Sequence, residues 1–333
     1  MSAPLDSLLR EHLQDPKLSK QAILQRLWSD YGEISRYYSP KLARSIIVKH
    51  VAPPVEIHHP RGWHSDVGHQ RKVQSYAVEA QFYQSFAAHC DESCYVPQFI
   101  SLIKNHKDGE QQTLVMADLD ALGFNSVLQV VNEAQIKTVL RWLAHFHARF
   151  LQVDTPSLWP IGTYWHLATR QAEYAAMPTG ALQQNAKKIA DKLEAAQFQT
   201  LLHGDAKLAN FCFSQHGLNR VAAVDFQYVG RGVGVKDVMY FLGSCLQDQQ
   251  LWTLHDEYFD YYFSVLKNAL RQPCIQGGIT QLGVDGIAAL EQEWRGLIPY
   301  AWADFNRFLQ GWSAEHVKIN DFMHAQTTLV LRT

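Results

Sequence analysis

Between Leu201 and Leu246 the chain reads LLHGDAKLANFCFSQHGLNRVAAVDFQYVGRGVGVKDVMYFLGSCL, and this stretch leaves it few ways to fold. His203-Gly204-Asp205 is followed, five residues after the aspartate, by Asn210; the apolar run from Val221 to Val224 then delivers Asp225-Phe226-Gln227. A tight loop of that length turns the Asn210 amide oxygen back toward the cavity that holds the Asp205 carboxylate. Asp225 arrives beside both from a neighbouring strand. Two carboxylates and an amide gathered in this way make an oxygen site for a hard cation, with one carboxylate left over as a base.

Glycine and aspartate are common turn residues, so neither tripeptide carries the reading alone. The ordered combination does, because H-x-D-x-x-x-x-N, a strand and then D-F is the order in which kinases hold a catalytic base and two metal ligands. Phosphoryl transfer asks mainly for positioning and charge neutralisation. Asp205 then stands as the base beside an acceptor hydroxyl, and Asn210 and Asp225 as ligands of Mg2+.

Upstream, Ser19 to Leu27 carries Ile23, Leu24 and Leu27 at helical spacing after Pro16, which predicts a short helix. From Trp28 to Val51 the pattern alternates and is rich in Tyr, Ile and Val, predicting two or three antiparallel strands. Ile46-Ile47-Val48-Lys49 sets a lysine on a buried strand, where its charge requires a partner. Glu79, within the helical pattern VQSYAVEAQFYQSFAAHC, supplies one. A strand lysine paired to a glutamate on the next helix is how kinases grip the α- and β-phosphates. Between the two, VAPPVEIHHPRGWHSDVGHQRK has no period and reads as a long loop whose His58, His59, His64 and His69 lack the spacing of a metal site. No GxGxxG is present; Gly32 alone occupies that region, leaving the backbone amides of a Tyr31 to Ser35 turn as phosphate cover.

The strand TLVMADL runs into DALGF, the pattern of a hinge whose backbone at Met116 and Asp118 faces an adenine edge, although a plain edge strand has the same local pattern. The boundary placed there divides the chain into an N-terminal lobe, 1–118, and a C-terminal lobe, 119–333. Helices follow at Glu133 to Phe150, with His145 and His147 in the core, and at Gly180 to Gln197. Asp237 is read as a helix N-cap that also braces the H-G-D loop. The remainder, Trp252 to Arg271, Val284 to Ile298 and Pro299 to Arg332, is helical by pattern, with Tyr258, Tyr261, Tyr262, Trp302, Phe305 and Trp312 as core stripes. Glu291, Asp304 and His316 are candidate acceptor contacts. The fold class expected is α+β and bilobal: a small antiparallel sheet, then a larger, mainly helical lobe.

A net charge of -2 gives no field that favours nucleic acid or a membrane surface, and no apolar run is long enough to span a bilayer. The N-terminal MSAPLDSLLREHLQDP does not follow a signal-peptide pattern, so a cytoplasmic protein is expected. Cys90, Cys94, Cys212, Cys245 and Cys274 lack paired spacing and are read as reduced, structural thiols.

With HGDAKLANF, VDFQ, IIVKH, YAVEAQFY, LVMADLDALGF and LRWLAHFHARF in this order, the chain resembles the aminoglycoside phosphotransferase and choline kinase superfamily, and within it the ecdysteroid kinase-like group. The resemblance implies a protein kinase-like fold that binds ATP or GTP with Mg2+ and transfers the γ-phosphate to a hydroxyl of a small molecule. It further implies Asp205 as base, Asn210 and Asp225 as metal ligands, Lys49 as phosphate grip with Glu79 as its partner, and Lys207 as a residue touching the γ-phosphate. Two other readings stay open. One is a nucleotide-binding scaffold that keeps the fold without the chemistry. The other is a kinase acting on protein side chains, disfavoured by the short segment after Asp225.

Overall fold

The computed structural model describes residues 5–27, 30–53, 66–104, 111–215, 219–272 and 282–332. A first helix, α1 (Leu5–Leu13), precedes the strands β1 (Ser19–Arg26), β2 (Gly32–Ser39) and β3 (Arg44–Val51). Helix α2 (Asp66–Ser85) follows, then β4 (Phe99–Lys104) and β5 (Gln112–Ala117), and the five strands form one antiparallel sheet in the order β1-β2-β3-β5-β4. Alternation along β3 decides what each face meets. Ile46 and Val48 pack with Leu9 of α1, Tyr37 and Val115, whereas Val51 packs with Tyr76 of α2, and Lys49 turns to the same helix.

Three features of this half differ from the sequence reading. Residues Ser19–Arg26 are not helical: they form the edge strand β1, exposed along its whole length and held by pairing to β2. Three apolar residues at helical spacing are too few to outweigh a ladder of backbone hydrogen bonds to a ready neighbour. Helix α2 begins at Asp66, so residues 66–72, read as loop, are helical; His58, His59 and His64 lie outside the described residues. Gly32 to Ser35 do not form a turn but lie in β2, paired to β1 on one side and β3 on the other, so their amides are committed to the sheet.

The C-terminal half starts with β6 (Ser126–Val127) and α3 (Glu133–Arg149), whose Asn132 and Gln135 form a reciprocal cap. It continues through α4 (Gln171–Ala176), α5 (Ala181–Glu194), β7 (Thr200–Leu202), β8 (Phe211–Phe213), β9 (Val221–Ala223), β10 (Gly230–Gly232) and α6 (Val235–Cys245). Three long or terminal helices close it: α7 (Asp248–Leu270), α8 (Val284–Trp312) and α9 (Asp321–Leu331). Helix α8 runs through Pro299 without a break, because Leu297, Ile298, Ala301 and Trp302 on either side are buried and hold both halves to one core. Proline removes one backbone hydrogen bond there, a smaller loss than exposing that face. Tyr258, Tyr262, Trp302 and Phe305 are buried as core. The fold is mixed α and β, an antiparallel sheet followed by a mainly helical part.

Candidate active site

The H-G-D loop leaves β7 at Leu202 and returns to β8 at Phe211, and its shape is imposed at three points. Gly204 has φ +80°, and a Cβ added there would lie 2.0 Å from the Tyr228 carbonyl oxygen. Gly204→Ala is therefore expected to lower the melting temperature and distort the loop together, and an alanine variant with unchanged melting would count against this reading. Asp237, buried in α6, accepts from the His203 and Gly204 amides at 2.6 and 3.0 Å, so it braces the loop as expected, although Gly234, not Asp237, is the N-cap residue. His203 is fully buried, and burial lowers its pKa, so its ring is neutral: Nε2 donates to Val224 O at 3.0 Å and Nδ1 accepts from the Asp205 amide at 3.2 Å. These two bonds fix the tautomer.

Asp205 is thereby presented with its two oxygens in different circumstances. Oδ2 accepts from Lys207 Nζ at 2.8 Å and from Asn210 Nδ2 at 3.1 Å. Oδ1 is buried and makes no hydrogen bond among the described residues, with the Tyr240 hydroxyl near enough for this carboxylate to raise its pKa. Asn210 Nδ2 also reaches the Asp205 carbonyl at 2.8 Å, while the Asn210 amide oxygen accepts no hydrogen bond among the described residues.

Asp225 follows β9 with φ +69°, a conformation costly for a non-glycine residue and one that turns its carboxylate toward β3. The next residue anchors it: the Phe226 ring stacks on Phe82 of α2 at 4.0 Å and 13°. Lys49 Nζ lies 2.5 Å from Glu79 Oε2 and 3.7 Å from Asp225 Oδ1. Burial would lower the Lys49 pKa, but the charges of Glu79 and Asp225 outweigh it and hold it above its ordinary value. The two aspartates are pushed apart. Burial raises the Asp205 carboxyl despite Lys207, whereas for Asp225 burial is outweighed by Lys49, Lys72 and Lys207 and the carboxyl is lowered. One site thus holds a more basic carboxylate beside a firmly ionised one, the division of roles that acid–base chemistry uses.

The structure brings Lys49, Glu79, Asp205, Lys207, Asn210 and Asp225 together. Met116 and Asp118 stand at the end of β5, where Met116 pairs with Ile47 and Phe99. The Asp118 side chain is buried and accepts from Arg36 Nε at 2.6 Å and from the Asp120 amide at 3.1 Å, which anchors the turn out of the sheet. Of the acceptor contacts, Asp304 is no such thing: it lies in the core, 2 % exposed, between Lys236 and Arg307. Glu291 pairs with Lys267 and Arg295 along the outer helices, and the His316 ring lies tilted against Trp312, centroids 5.5 Å apart. Sequence reasoning missed Tyr164 and Tyr240, whose hydroxyls are 3.2 Å apart, and Lys318, whose Nζ lies 4.5 Å from the Tyr240 ring centroid and feels the charges of Asp205 and Lys207. Lys318 sits in the irregular segment between α8 and α9, where no periodicity points to it.

Asn210 and Asp225 offer hard oxygen donors, and the Asp225 side chain is 34 % exposed, so the pair fits Mg2+. No cluster of three or more His, Cys, Asp or Glu ligands exists among the described residues, so an ion there would draw its other ligands from phosphate and water oxygens. A sheet and its helix α2, which share the lysine–glutamate pair, packed on a helical part carrying the H-G-D and D-F-Q loops, define a protein kinase-like fold. The sequence profile of the ecdysteroid kinase-like family matches residues 163–274, a third of the chain that includes both loops. In structure the chain is similar to a Ralstonia eutropha protein described as an aminoglycoside phosphotransferase, at 14% identity over 98% of this chain and 94% of that one, TM-score 0.52. It is also similar to a thermostable mutant of aminoglycoside phosphotransferase APH(4)-Ia, at 9% identity over 98% of each chain, TM-score 0.50. No curated protein matches it by sequence. The profile and these structures bear out the resemblance to the aminoglycoside phosphotransferase and choline kinase superfamily; at such identities the structures speak for the fold.

Proposed function

We propose that the chain is a small-molecule O-kinase, moving the γ-phosphate of ATP or GTP to a hydroxyl group with Mg2+ as cofactor. The observation that carries this reading is the buried Asp205 Oδ1, a carboxylate oxygen without a hydrogen bond among the described residues, in a loop braced by Asp237. An unpaired buried acceptor is expensive unless a donor arrives, and an acceptor hydroxyl is such a donor. Asp205 would take its proton, its basicity raised by burial. Lys207 steadies the same carboxylate and would meet a phosphoryl oxygen. Lys49, fixed by Glu79, would hold nucleotide phosphates, and the backbone at Met116 and Asp118 would face the adenine edge. Magnesium bound by Asn210 and Asp225 would supply charge neutralisation for the transferred group.

Only residues 226–234 separate Asp225 from α6, which leaves no platform for a protein substrate and favours a small acceptor. Among the described residues no helix is long and apolar enough to cross a membrane, in keeping with a cytoplasmic enzyme. An idle scaffold is the weaker reading, because six charged or amide groups are assembled within reach of one another.

The test is a melting curve with ATP and GTP, each with and without Mg2+, followed by a screen of hydroxyl-bearing metabolites for phosphate uptake. A nucleotide at a hundred times its Kd adds about 2.7 kcal/mol. A shift that requires Mg2+ is expected, and its absence with every nucleotide would leave the scaffold reading. Asp225→Asn should weaken magnesium-dependent nucleotide affinity by roughly tenfold to a hundredfold, the scale of a lost charge-assisted contact. Affinity that keeps its magnesium dependence in that variant would remove Asp225 from the metal site.

A further inference from the structure

A third lysine stands beside Asp225. Lys72 lies on α2, seven residues and thus about two turns before Glu79, so both side chains leave the same face of the helix. Its Nζ donates to Gln227 Oε1 at 2.8 Å and lies 4.6 Å from the Tyr76 ring centroid. Lys49 Nζ lies 5.4 Å from the centroid of that same ring, so both ammonium groups meet one aromatic side chain. Gln227 joins them to the aspartate: its Nε2 donates to Asp225 Oδ1 at 2.5 Å, and its Oε1 also accepts from Ser75 Oγ at 3.2 Å.

The environment of Lys72 is unusual for a cation. Among the described residues its ammonium has a neutral amide as its hydrogen-bond partner and no carboxylate within ion-pair distance, in contrast to Lys49, which has two. Burial lowers its pKa to about 8, with Asp225 opposing the shift. A half-buried ammonium held against a neutral partner is poorly compensated, and a multiply charged anion entering the cleft would offset the desolvation. Among the described residues, the amides of Gly32 to Ser35 give such an anion no backbone cover, because they are committed to β2's two neighbours.

The geometry points to Lys72 as a second phosphate-binding residue, gripping the nucleotide's phosphates from α2 opposite Lys49 and standing in for a glycine-rich loop. Gln227 pre-aims it by holding the ammonium next to Asp225. This inference rests on the nucleotide-binding reading above.

The test measures Kd for Mg-ATP, Mg-ADP and adenosine with the full chain as wild type, Lys72→Met and Lys72→Arg, each variant checked first by melting. Expected are a loss of Mg-ATP affinity of roughly tenfold to a hundredfold in Lys72→Met, an unchanged adenosine Kd, and recovery of most of the affinity in Lys72→Arg. Equal losses for Mg-ATP and adenosine would make Lys72 a helix-positioning residue and overturn the inference, as would no loss for either. Should Lys72→Met fail to fold, the ratio of Mg-ATP to adenosine affinity in Lys72→Arg and in a Lys72→Gln variant decides on the same terms. Wild-type protein that binds no nucleotide would instead defeat the nucleotide reading itself.

Discussion

Asp205→Asn is expected to abolish phosphoryl transfer while leaving Mg-nucleotide affinity essentially unchanged. The substitution keeps the shape of the side chain and the hydrogen bonds that fold the loop, since Asp237 and His203, not Asp205, carry the backbone geometry. What it removes is the proton acceptor at Oδ1 and the charge that pairs with Lys207. A positioned general base is worth about 10²- to 10⁴-fold in rate, and that is the fall expected in single-turnover transfer to any acceptor the screen identifies. Nucleotide affinity should survive because the residues assigned to phosphates and metal, Lys49, Lys72, Lys207, Asn210 and Asp225, are all retained. Rate and affinity falling together by equal factors would place Asp205 at the nucleotide and refute its role at the acceptor.

The largest loss of stability is expected from Asp304→Ala. Asp304 Oδ2 takes Lys236 Nζ at 3.0 Å and Trp165 Nε1 at 3.1 Å, and Oδ1 takes Arg307 Nη2 at 2.8 Å, all in the core between α6 and α8. Burial alone would raise its carboxyl; Lys236 and Arg307 outweigh burial and hold it far below the usual range. Truncation leaves two buried cations uncompensated, a change that costs about 3–5 kcal/mol. The midpoint of thermal unfolding should fall by roughly 4–7 °C. The sign with pH follows from the depressed pKa: the carboxyl's contribution is complete above its unfolded value, about 3.9, and is lost as pH falls below it, so wild type and variant should converge in acid. A drop of a degree or two at neutral pH, or a gap that persists at low pH, would rule out this account.

The legible parts of the site share a property. Asp205 and Asn210 lie in one short loop, Asp225 follows the next strand but one, and the spacing of such residues along the chain is almost their spacing in space. Lys49 and Glu79 were readable for a related reason: a lysine on a buried strand must meet an acid, and the next helix offers Glu79. Lys72 escaped because residues 66–72 lack a hydrophobic period; only where α2 starts decides that Lys72 shares a face with Glu79. Asp304 was misread toward a ligand because an acid in an amphipathic helix looks solvated until Lys236 and Arg307 are seen around it. The edge strand β1 was misread because strand pairing is a contact with another segment, here β2, and leaves only a weak mark on its own residues.

By itself, then, the sequence determined the class of fold and the residues gathered at the candidate site: the H-G-D loop with Asn210, Asp225 after the next strands, and the lysine–glutamate clasp. These depend on local spacing and on the cost of burying charge without a partner. Tertiary structure alone decided which buried charges are scaffold and which face the cleft, as with Asp304 against Asp205, and which distant side chains join the site, as with Lys72, Tyr240 and Lys318. The physical reason is that burial and pairing are properties of neighbours in space, and those neighbours come from helices up to a hundred or more residues apart.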